Sequence, residues 1–222
     1  MPTETGPADP LIDQLVADLR AVRPRRWTRE AALLAGLVIV ESLLFIMRKD
    51  MRPDMPQALA APAFWWKSGS LAVIASLAAA AMLISLDPAT TTNRRLTGLY
   101  RSLGIALPVA LALGWLIDAG ASDTATLSAR LQWREGIDCL KNVVLLSLPL
   151  VLALGFLMRR GATTQPERTS ASAGLAAASI GAFVFAFHCP HDDPLYVAIW
   201  YGGAVAVVSG LTRLLLPRLL RW

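Results

Sequence analysis

Two cysteines and two histidines are the side chains of this sequence best suited to redox or metal chemistry. Cys139 stands apart, and Cys189 follows 50 residues later within the segment His188-Cys189-Pro190-His191. With only two cysteines so far apart, a CxxC redox motif and a four-cysteine zinc module are both excluded. Paired thiols can form a disulfide in an oxidising compartment, and thiols together with imidazoles suit zinc, cadmium or copper.

Three interpretations of these residues stay open from the sequence alone. The pair is a stabilising disulfide, or a thiol switch that responds to oxidants or metals, or a standing metal site. The metal site would use both cysteines and both histidines as ligands, namely Cys139, Cys189, His188 and His191. All three interpretations require the two cysteines to meet in space, which depends on the elements that carry them.

Long apolar segments make up most of the chain and define those elements. Of the 222 residues, 55% are hydrophobic and 17% are charged, whereas ordinary soluble domains have about 25% charged residues. Six apolar runs each approach the roughly 20 residues needed to cross a ~30 Å hydrocarbon core. The runs are Ala31–Met47, Ser68–Leu86, Leu99–Ile117, Asn142–Met158, Ser172–His188 and Leu195–Leu216. The sequence therefore predicts an all-α, polytopic membrane protein built as a bundle of six transmembrane helices.

The lysine and arginine residues indicate how these spans are oriented. With the N-terminus inside, fourteen of the 21 basic residues fall in inner segments and seven in outer ones. This agrees with the positive-inside rule and predicts a multi-pass protein of the bacterial inner membrane with both termini cytoplasmic. The net charge of +5 then reflects topology, so direct nucleic-acid binding is not expected. Both cysteines fall at the outer face. The charge contrast weakens at an outer basic cluster, Arg48–Arg52, which the topology does not explain.

A short amphipathic helix is predicted in the cytoplasmic N-terminal segment, residues 1–29, ahead of the transmembrane domain, residues 30–222. Asp9 is a suitable N-cap, Pro10 suits the first helical position, and Pro24 ends the helix. Six apolar side chains form one stripe along it: Leu11, Ile12, Leu15, Val16, Leu19 and Val22.

This N-terminal stripe requires something to bury it. A helix of about fourteen residues is marginal alone in water, so its apolar face must pack against a partner. The polar face carries Asp13 and Asp18 instead of a row of basic residues, which favours a protein partner over a lipid surface. A helix that lies at the interface and only orients the first span is the alternative.

Two further features lie within the apolar runs. Glu41 is the only acidic residue deep in a run, so a proton relay would have no second member. We expect Glu41 to make a polar contact within the bundle or with Arg48. Gly174, Ala178 and Gly181 space small residues along the fifth run, which predicts close approach of a neighbouring helix.

Catalytic motifs are missing from the sequence. It contains no phosphate-binding glycine loop, no HExxH, no GxSxG and no cofactor fingerprint. We therefore expect a regulatory protein and not an enzyme, with no cofactor beyond a metal ion bound transiently at the cysteine pair. A small inner-membrane transporter or channel for a metal ion or weak acid is the main alternative, and a membrane scaffold is a third.

Several short motifs together resemble a known family. They are Leu-Ile-x-x-Leu-x-x-Asp-Leu over Leu11–Leu19, Val22-Arg23-Pro24, the lone Cys139, Phe187-His188-Cys189-Pro190, Trp200-Tyr201-Gly202 and the closing Arg218–Trp222. Over nearly its whole length the sequence is similar to the NrsF-type family, the "negative regulator of sigma F" membrane anti-sigma factors of proteobacteria. The His-Cys-Pro and Trp-Tyr-Gly segments are the most specific part of this resemblance.

The resemblance implies roles for two parts of the chain. It implies that the N-terminal segment, through the stripe Leu11–Val22, holds an extracytoplasmic-function (ECF) sigma factor at the membrane. It also implies that Cys139 and Cys189 sense heavy-metal or oxidative stress, which releases the sigma factor. The assignment of His188 and His191 as metal ligands does not come from the resemblance and rests on side-chain chemistry alone.

Overall fold

A computed structural model gives the fold and describes residues 27–87, 94–120, 126–161 and 165–219, together with Ala17 and Thr163. Every regular element in these ranges is helical, and six helices are long and apolar enough to cross a membrane. They are α1 (Trp27–Lys49), α2 (Pro62–Ser85), α3 (Arg94–Gly120), α4 (Trp133–Arg159), α5 (Pro166–Ala186) and α6, which comprises Pro194–Tyr196, the π-helical turn Val197–Tyr201 and Gly202–Leu219. The prediction of an all-α bundle with six candidate spans is confirmed.

Local sequence accounts for where several of these helices begin. Pro62 and Pro166 stand at the first turn of α2 and α5, where the missing N–H costs nothing. Asp193 is the N-cap of α6, and its side chain accepts hydrogen bonds from the backbone N–H groups of Leu195 and Tyr196. Two short helices, Met55–Ala58 and Leu127–Leu131, lie in the α1–α2 and α3–α4 connections.

The predicted N-terminal helix over residues 9–22 lies, except for Ala17, outside the described residues. Its apolar stripe and the division of the chain into residues 1–29 and 30–222 therefore stay predictions. Helix α1 begins at Trp27, shortly after that segment in the sequence.

Two helices begin or end at other residues than the corresponding apolar runs, and this changes where the cysteine and histidine residues lie. Helix α4 begins at Trp133 and not near Asn142, so Cys139 lies inside a helix instead of before one. Helix α5 ends at Ala186, which leaves His188 in the connection that follows. Polar residues do not interrupt a helix that projects beyond the apolar region, because its backbone hydrogen bonds are made internally.

Helix α5 lies at the centre of the bundle and packs extensively against α2, α4 and α6. Small residues make this packing close. A Cβ atom at Gly174 would lie 2.8 Å from Ser209 Cα, and one at Gly181 would lie 2.8 Å from Ser147 Oγ. The predicted close approach along the fifth run is confirmed, as expected for membrane helices that associate through small residues.

Helix α1 lies at the edge of the bundle and makes far fewer contacts, with α4, α2 and α5. Leu33, Leu43 and Leu44 on its outer side are more than half exposed. Such large apolar side chains suit a surface that faces lipid. The α1–α2, α3–α4 and α5–α6 connections gather at one end of the bundle, which we call the cysteine end because it holds both cysteines.

Candidate functional site

The structure brings the two predicted sensing cysteines together at the cysteine end. Cys139 comes from the second turn of α4, and Cys189 from the α5–α6 connection. Both are free thiols, only 2% and 4% exposed, and both belong to one buried cluster. The two thiols lie close enough together that a hydrogen bond between them affects the ionisation of both. The pairing required by all three sequence interpretations is therefore present, with the cysteines in their reduced form.

Two tyrosines from α6 flank the thiols. Tyr196 and Tyr201 are each 1% exposed, with the hydroxyl of Tyr196 facing Cys139 and that of Tyr201 facing Cys189. Neither hydroxyl closes a hydrogen bond within the described part of the chain. The π-helical turn Val197–Tyr201 lies at this point, and such turns often occur at functional sites. The Trp-Tyr-Gly motif was the sequence signal for this region, although its contact with the cysteines could not be inferred.

A close packing contact holds α6 against α4 beside the thiols. The indole of Trp200 covers Gly136, where an added Cβ atom would lie only 2.0 Å from the ring. The same indole N–H donates to the carbonyl of Leu131 at 2.8 Å. Gly136 is thus required for the approach of the two helices next to Cys139.

Lys67 is a buried cation directly beneath the Cys189 connection. Its side chain is fully buried, and Nζ forms an ion pair with Asp192 Oδ1 at 2.5 Å. The ammonium also donates to the carbonyls of Cys189 at 3.2 Å and His191 at 3.1 Å. It lies 5.6 Å from the centre of the Tyr201 ring, within cation–π range. A buried charge of this kind persists only when it is paired and hydrogen-bonded, as it is here.

Arg52 provides a second buried cation on the same connection. It is 4% exposed and donates to Asp192 Oδ2 at 2.8 Å and to the carbonyls of Cys189 and Pro190 at 3.3 and 3.1 Å. Its remaining donors bind Asp54, and this hydrogen bonding lowers the pKa of Asp54 to about 2. The basic cluster that topology left unexplained thus contains a residue that holds the cysteine connection in place.

The electrostatic surroundings favour one thiolate in the pair. Hydrogen bonding from Cys139 lowers the pKa of Cys189, burial opposes this effect, and the positive charge of Lys67 adds to the lowering. The thiolate is the nucleophilic and metal-binding form of cysteine. A thiolate next to a neutral thiol is therefore the arrangement that these charges support.

The two histidines have partners other than the thiols. His188 Nδ1 lies 3.0 Å from the carbonyl of Asp50, and His191 Nε2 contacts the carboxylate of Glu135. The His191 ring also lies 4.7 Å from the ring of Tyr196. Across the described ranges, no three His, Cys, Asp or Glu side chains are grouped to hold a metal ion. The four-residue metal site and the transient metal ion stay predictions.

A second ionic network joins three elements beside the first. Arg130 Nε donates to Asp193 Oδ2 at 2.8 Å, and its guanidinium also contacts the carboxylate of Asp118 at the end of α3. Although burial raises the pKa of Asp193, hydrogen bonds from Arg130 and from the N–H groups of Tyr196 and Leu195 bring it below its usual value. Sequence reasoning missed this network, for which Asp193 before Pro194 was the available signal of a helix cap.

Glu41 makes no hydrogen bond with another described residue, in contrast to the polar contact expected from the sequence. It is 8% exposed, and neither carboxylate oxygen has a hydrogen-bond partner among the described residues. It lies on the face of α1 that carries Val38 and Phe45 towards the bundle, whereas Arg48 is exposed at the helix end. The expected contact with Arg48 was wrong because the Glu41 side chain is buried against the bundle, whereas the Arg48 side chain is exposed.

Comparisons with known proteins agree over nearly the full length. A family model described as "Negative regulator of sigma F" (NrsF) matches residues 15–222. The "Anti-sigma-F factor NrsF" of Caulobacter vibrioides is 30% identical over 220 residues, covering 96% of this chain and 99% of the relative. The "Probable anti-sigma-F factor NrsF" of Azospira oryzae is 28% identical over 217 residues, covering 96% and 98%. No solved structure matches the chain.

Proposed function

The chain belongs to the negative regulator of sigma F family, and from this premise we propose that it is an anti-sigma factor which holds an ECF sigma factor at the bacterial inner membrane. The observation that carries the proposal is the family match over residues 15–222, which includes most of the N-terminal stripe and all six candidate spans. The role is regulatory and not enzymatic. Its partners are the sigma factor and the lipid bilayer.

The N-terminal segment is the proposed sigma-binding element. Its stripe Leu11–Val22 precedes α1 directly, so a bound sigma factor would lie at the cytoplasmic surface of the membrane. Burying each Leu, Ile or Val side chain gains roughly 1.5–3 kcal/mol, and the six residues of the stripe can offset the cost of ordering a short helix on its partner. The bound helix would occlude a sigma surface that core RNA polymerase needs.

The cysteine pair is the proposed sensor of oxidants or heavy metals. With hydrogen peroxide, the Cys189 thiolate would attack one peroxide oxygen and break the O–O bond, forming a sulfenic acid and releasing hydroxide, which takes up a proton from solvent to become water. The Cys139 thiol would then condense with the sulfenic acid, forming the disulfide and releasing a second water. With a soft metal ion, Cys139 and Cys189 would instead serve as thiolate ligands, and the Cys139 thiol would give up its proton.

The α5–α6 connection offers a route from the thiols to the sigma-binding segment. The N–H of Arg52 donates to the carbonyl of Phe187 at 3.1 Å, and His188 contacts the carbonyl of Asp50, so the end of α1 is fastened to this connection. Helix α1 then spans about 35 Å to the N-terminal segment. Moving a two-state arrangement from 1:99 to 99:1 takes about 5.5 kcal/mol, which disulfide formation or metal–thiolate bonding can supply.

Co-purification from solubilised membranes tests the proposal. The full-length protein should retain an ECF sigma factor, and the protein lacking residues 1–24 should not. The double variant Leu15→Asp/Leu19→Asp should lose the sigma factor, whereas Asp18→Asn on the polar face should keep it. If the full-length protein retains no sigma factor, the anti-sigma proposal is wrong.

Release is tested separately on the retained complex. Hydrogen peroxide or cadmium chloride should release the sigma factor from the wild-type protein. The variant Cys139→Ser/Cys189→Ser should bind the sigma factor equally well and should not release it. Release from this double variant would rule out the cysteine pair as the sensor while leaving the anti-sigma role intact.

A second candidate function is transport of a metal ion or weak acid, and Glu41 is the observation that favours it. A buried carboxylate without a hydrogen-bond partner in a membrane span is a common feature of ion pathways. Uptake of zinc ions or acetate into proteoliposomes, lost in Glu41→Gln, would support transport. No uptake by the wild-type protein would exclude it.

A further inference from the structure

A cavity of about 400 Å³ lies between α2, α3, α5 and α6, apart from the thiol site. It forms because α3 packs against α2 and Pro194–Tyr196, whereas Gly202–Leu219 packs against α5 and α4. The indole N–H of Trp66 donates to the carbonyl of Ala110 at 2.8 Å and fixes one wall. The space is therefore a consequence of how the helices diverge, and its volume lies within the range of small-molecule sites.

The cavity opens sideways, towards lipid. Leu107 and Leu111 line it from α3 and are 42% and 58% exposed. Both lie within a helix that is long and apolar enough to cross a membrane. A ligand would consequently enter from the bilayer and would have to be soluble in lipid.

Two serine hydroxyls line the cavity without a hydrogen-bond partner among the described residues: those of Ser179 and Ser209. Ser179 is 1% exposed. Other helical serines of this protein, such as Ser68 and Ser147, donate to the carbonyl four residues earlier. A buried hydroxyl left without a partner is unfavourable, so an acceptor atom brought by a ligand would be stabilised here.

These features define the chemistry of the ligand. The lining residues that the structure describes are apolar apart from hydroxyl groups and the indole N–H of Trp66, and none of them is charged, so a phospholipid head group would find no cation among them. An acyl chain would fill the space without using the hydroxyls. A neutral, ring-shaped molecule with carbonyl acceptors satisfies both the apolar lining and the two donors.

We propose that this cavity is a binding site for the head group of a membrane quinone. Ser179 and Ser209 donate hydrogen bonds to its carbonyl oxygens, and the apolar walls hold the ring. The ring of Tyr201 lines the cavity while its hydroxyl faces Cys189, so the bound quinone lies one layer of side chains from the thiol pair. The site stands on observations separate from the anti-sigma proposal.

Photo-crosslinking of the full chain in nanodiscs tests this site, with a short-tailed azido-ubiquinone as the probe. Mass spectrometry should locate adducts on α2, α3, α5 or α6 around the cavity. Decylubiquinone should compete for labelling, whereas decylbenzene, which keeps a ring and tail but lacks carbonyls, should not. Equal competition by decylbenzene would show an apolar cleft that lipid tails fill, and would overturn the proposal without using any variant.

Two variants and a matched control sharpen the result. Ser179→Ala and Ser209→Ala should each raise the concentration of decylubiquinone needed for half-competition by about tenfold, the effect of losing one hydrogen bond. Ser76→Ala, at an exposed serine of α2 that already donates to Ala72, should leave it unchanged. If all three variants compete like the wild type, the hydroxyls do not bind the ligand and the site is wrong. Sigma co-purification from the same preparations reports on the anti-sigma function independently.

Discussion

Helices α1 and α5 have similar lengths, 23 and 21 residues, but opposite positions in the bundle. Apart from Glu41, the most apolar stretch of α1 is not buried within the protein, whereas 78% of that of α5 is buried. The more hydrophobic helix is thus the peripheral one. Lipid is as apolar as a leucine side chain, so hydrophobicity does not draw a membrane helix inward, and the small residues of α5 decide the packing instead.

The same contrast suggests how a signal would pass through the molecule. Helix α5 ends at the connection that carries Cys189, and its many contacts make it the rigid part of the bundle. Helix α1 is held mainly at its cysteine end, where Arg52 and Asp50 bind the α5–α6 connection. A helix with few packing contacts can move at low cost, and α1 is the one joined to the N-terminal segment.

Removing the charge of Lys67 should have the largest effect on stability, because Lys67 binds the connection that follows α5. Lys67→Met should lower the free energy of unfolding by about 3–5 kcal/mol, since it leaves a carboxylate in a buried network short of one partner. The matched variant Lys141→Met removes an exposed pair with Asp138 and should cost less than about 1 kcal/mol. Unfolding monitored in detergent measures both, and equal losses would contradict the assigned role of Lys67.

Oxidation should further stabilise the central part of the bundle, because a disulfide would join α4 to the connection that follows α5. A Cys139–Cys189 disulfide should raise the free energy of unfolding by about 2–4 kcal/mol, because it restricts the unfolded chain. Denaturation with and without a thiol reductant measures this effect, and mass spectrometry verifies the loss of two hydrogen atoms. Cys139→Ser should show no response to oxidant, and a response from it would indicate oxidation elsewhere.

Adding one methyl group to a glycine tests the packing difference directly. Gly174→Ala should cost about 1–3 kcal/mol, because the new Cβ atom would lie 2.8 Å from the backbone of α6. Gly36→Ala in α1 meets nothing within 4 Å and should be neutral or stabilising, since alanine favours the helix. The melting temperatures of the two variants measure this difference. A larger decrease for Gly36→Ala than for Gly174→Ala would contradict the central position of α5.

Acidification should have the smallest effect on stability, through protonation of Asp193, the N-cap of α6. Hydrogen bonds hold the pKa of Asp193 below its unfolded value of about 3.9, so its stabilisation is present above about pH 4 and is lost as the pH falls through the lower, folded value. We expect the melting temperature to drop by less than about 3 °C over this step. Asp193→Asn should reduce this dependence and leave the part due to Asp54, whereas exposed Asp138→Asn should leave it unchanged.

Much of the architecture could be predicted from sequence, for a physical reason. Within a bilayer each backbone polar group must find its partner inside the same helix, so length and composition suffice to locate spans. The small residues Gly174 and Gly181 similarly predicted close packing of α5. The motif around Cys189 predicted a thiol site because its residue types are rare in an apolar chain, and the predicted topology placed Cys139 at the same outer face.

The chain by itself therefore determined the helical class, the six spans and the two cysteines, since each depends on local composition or on rare residue types. Only the tertiary structure decided which charges are buried. Lys67 and Arg52 are ordinary basic residues near span ends, and their burial depends on Asp192, which lies 125 and 140 residues away in sequence. It also decided that His188 and His191 bind Asp50 and Glu135, and that Glu41 is left without a partner in the described bundle. Such contacts arise from the approach of distant segments, which no local pattern records.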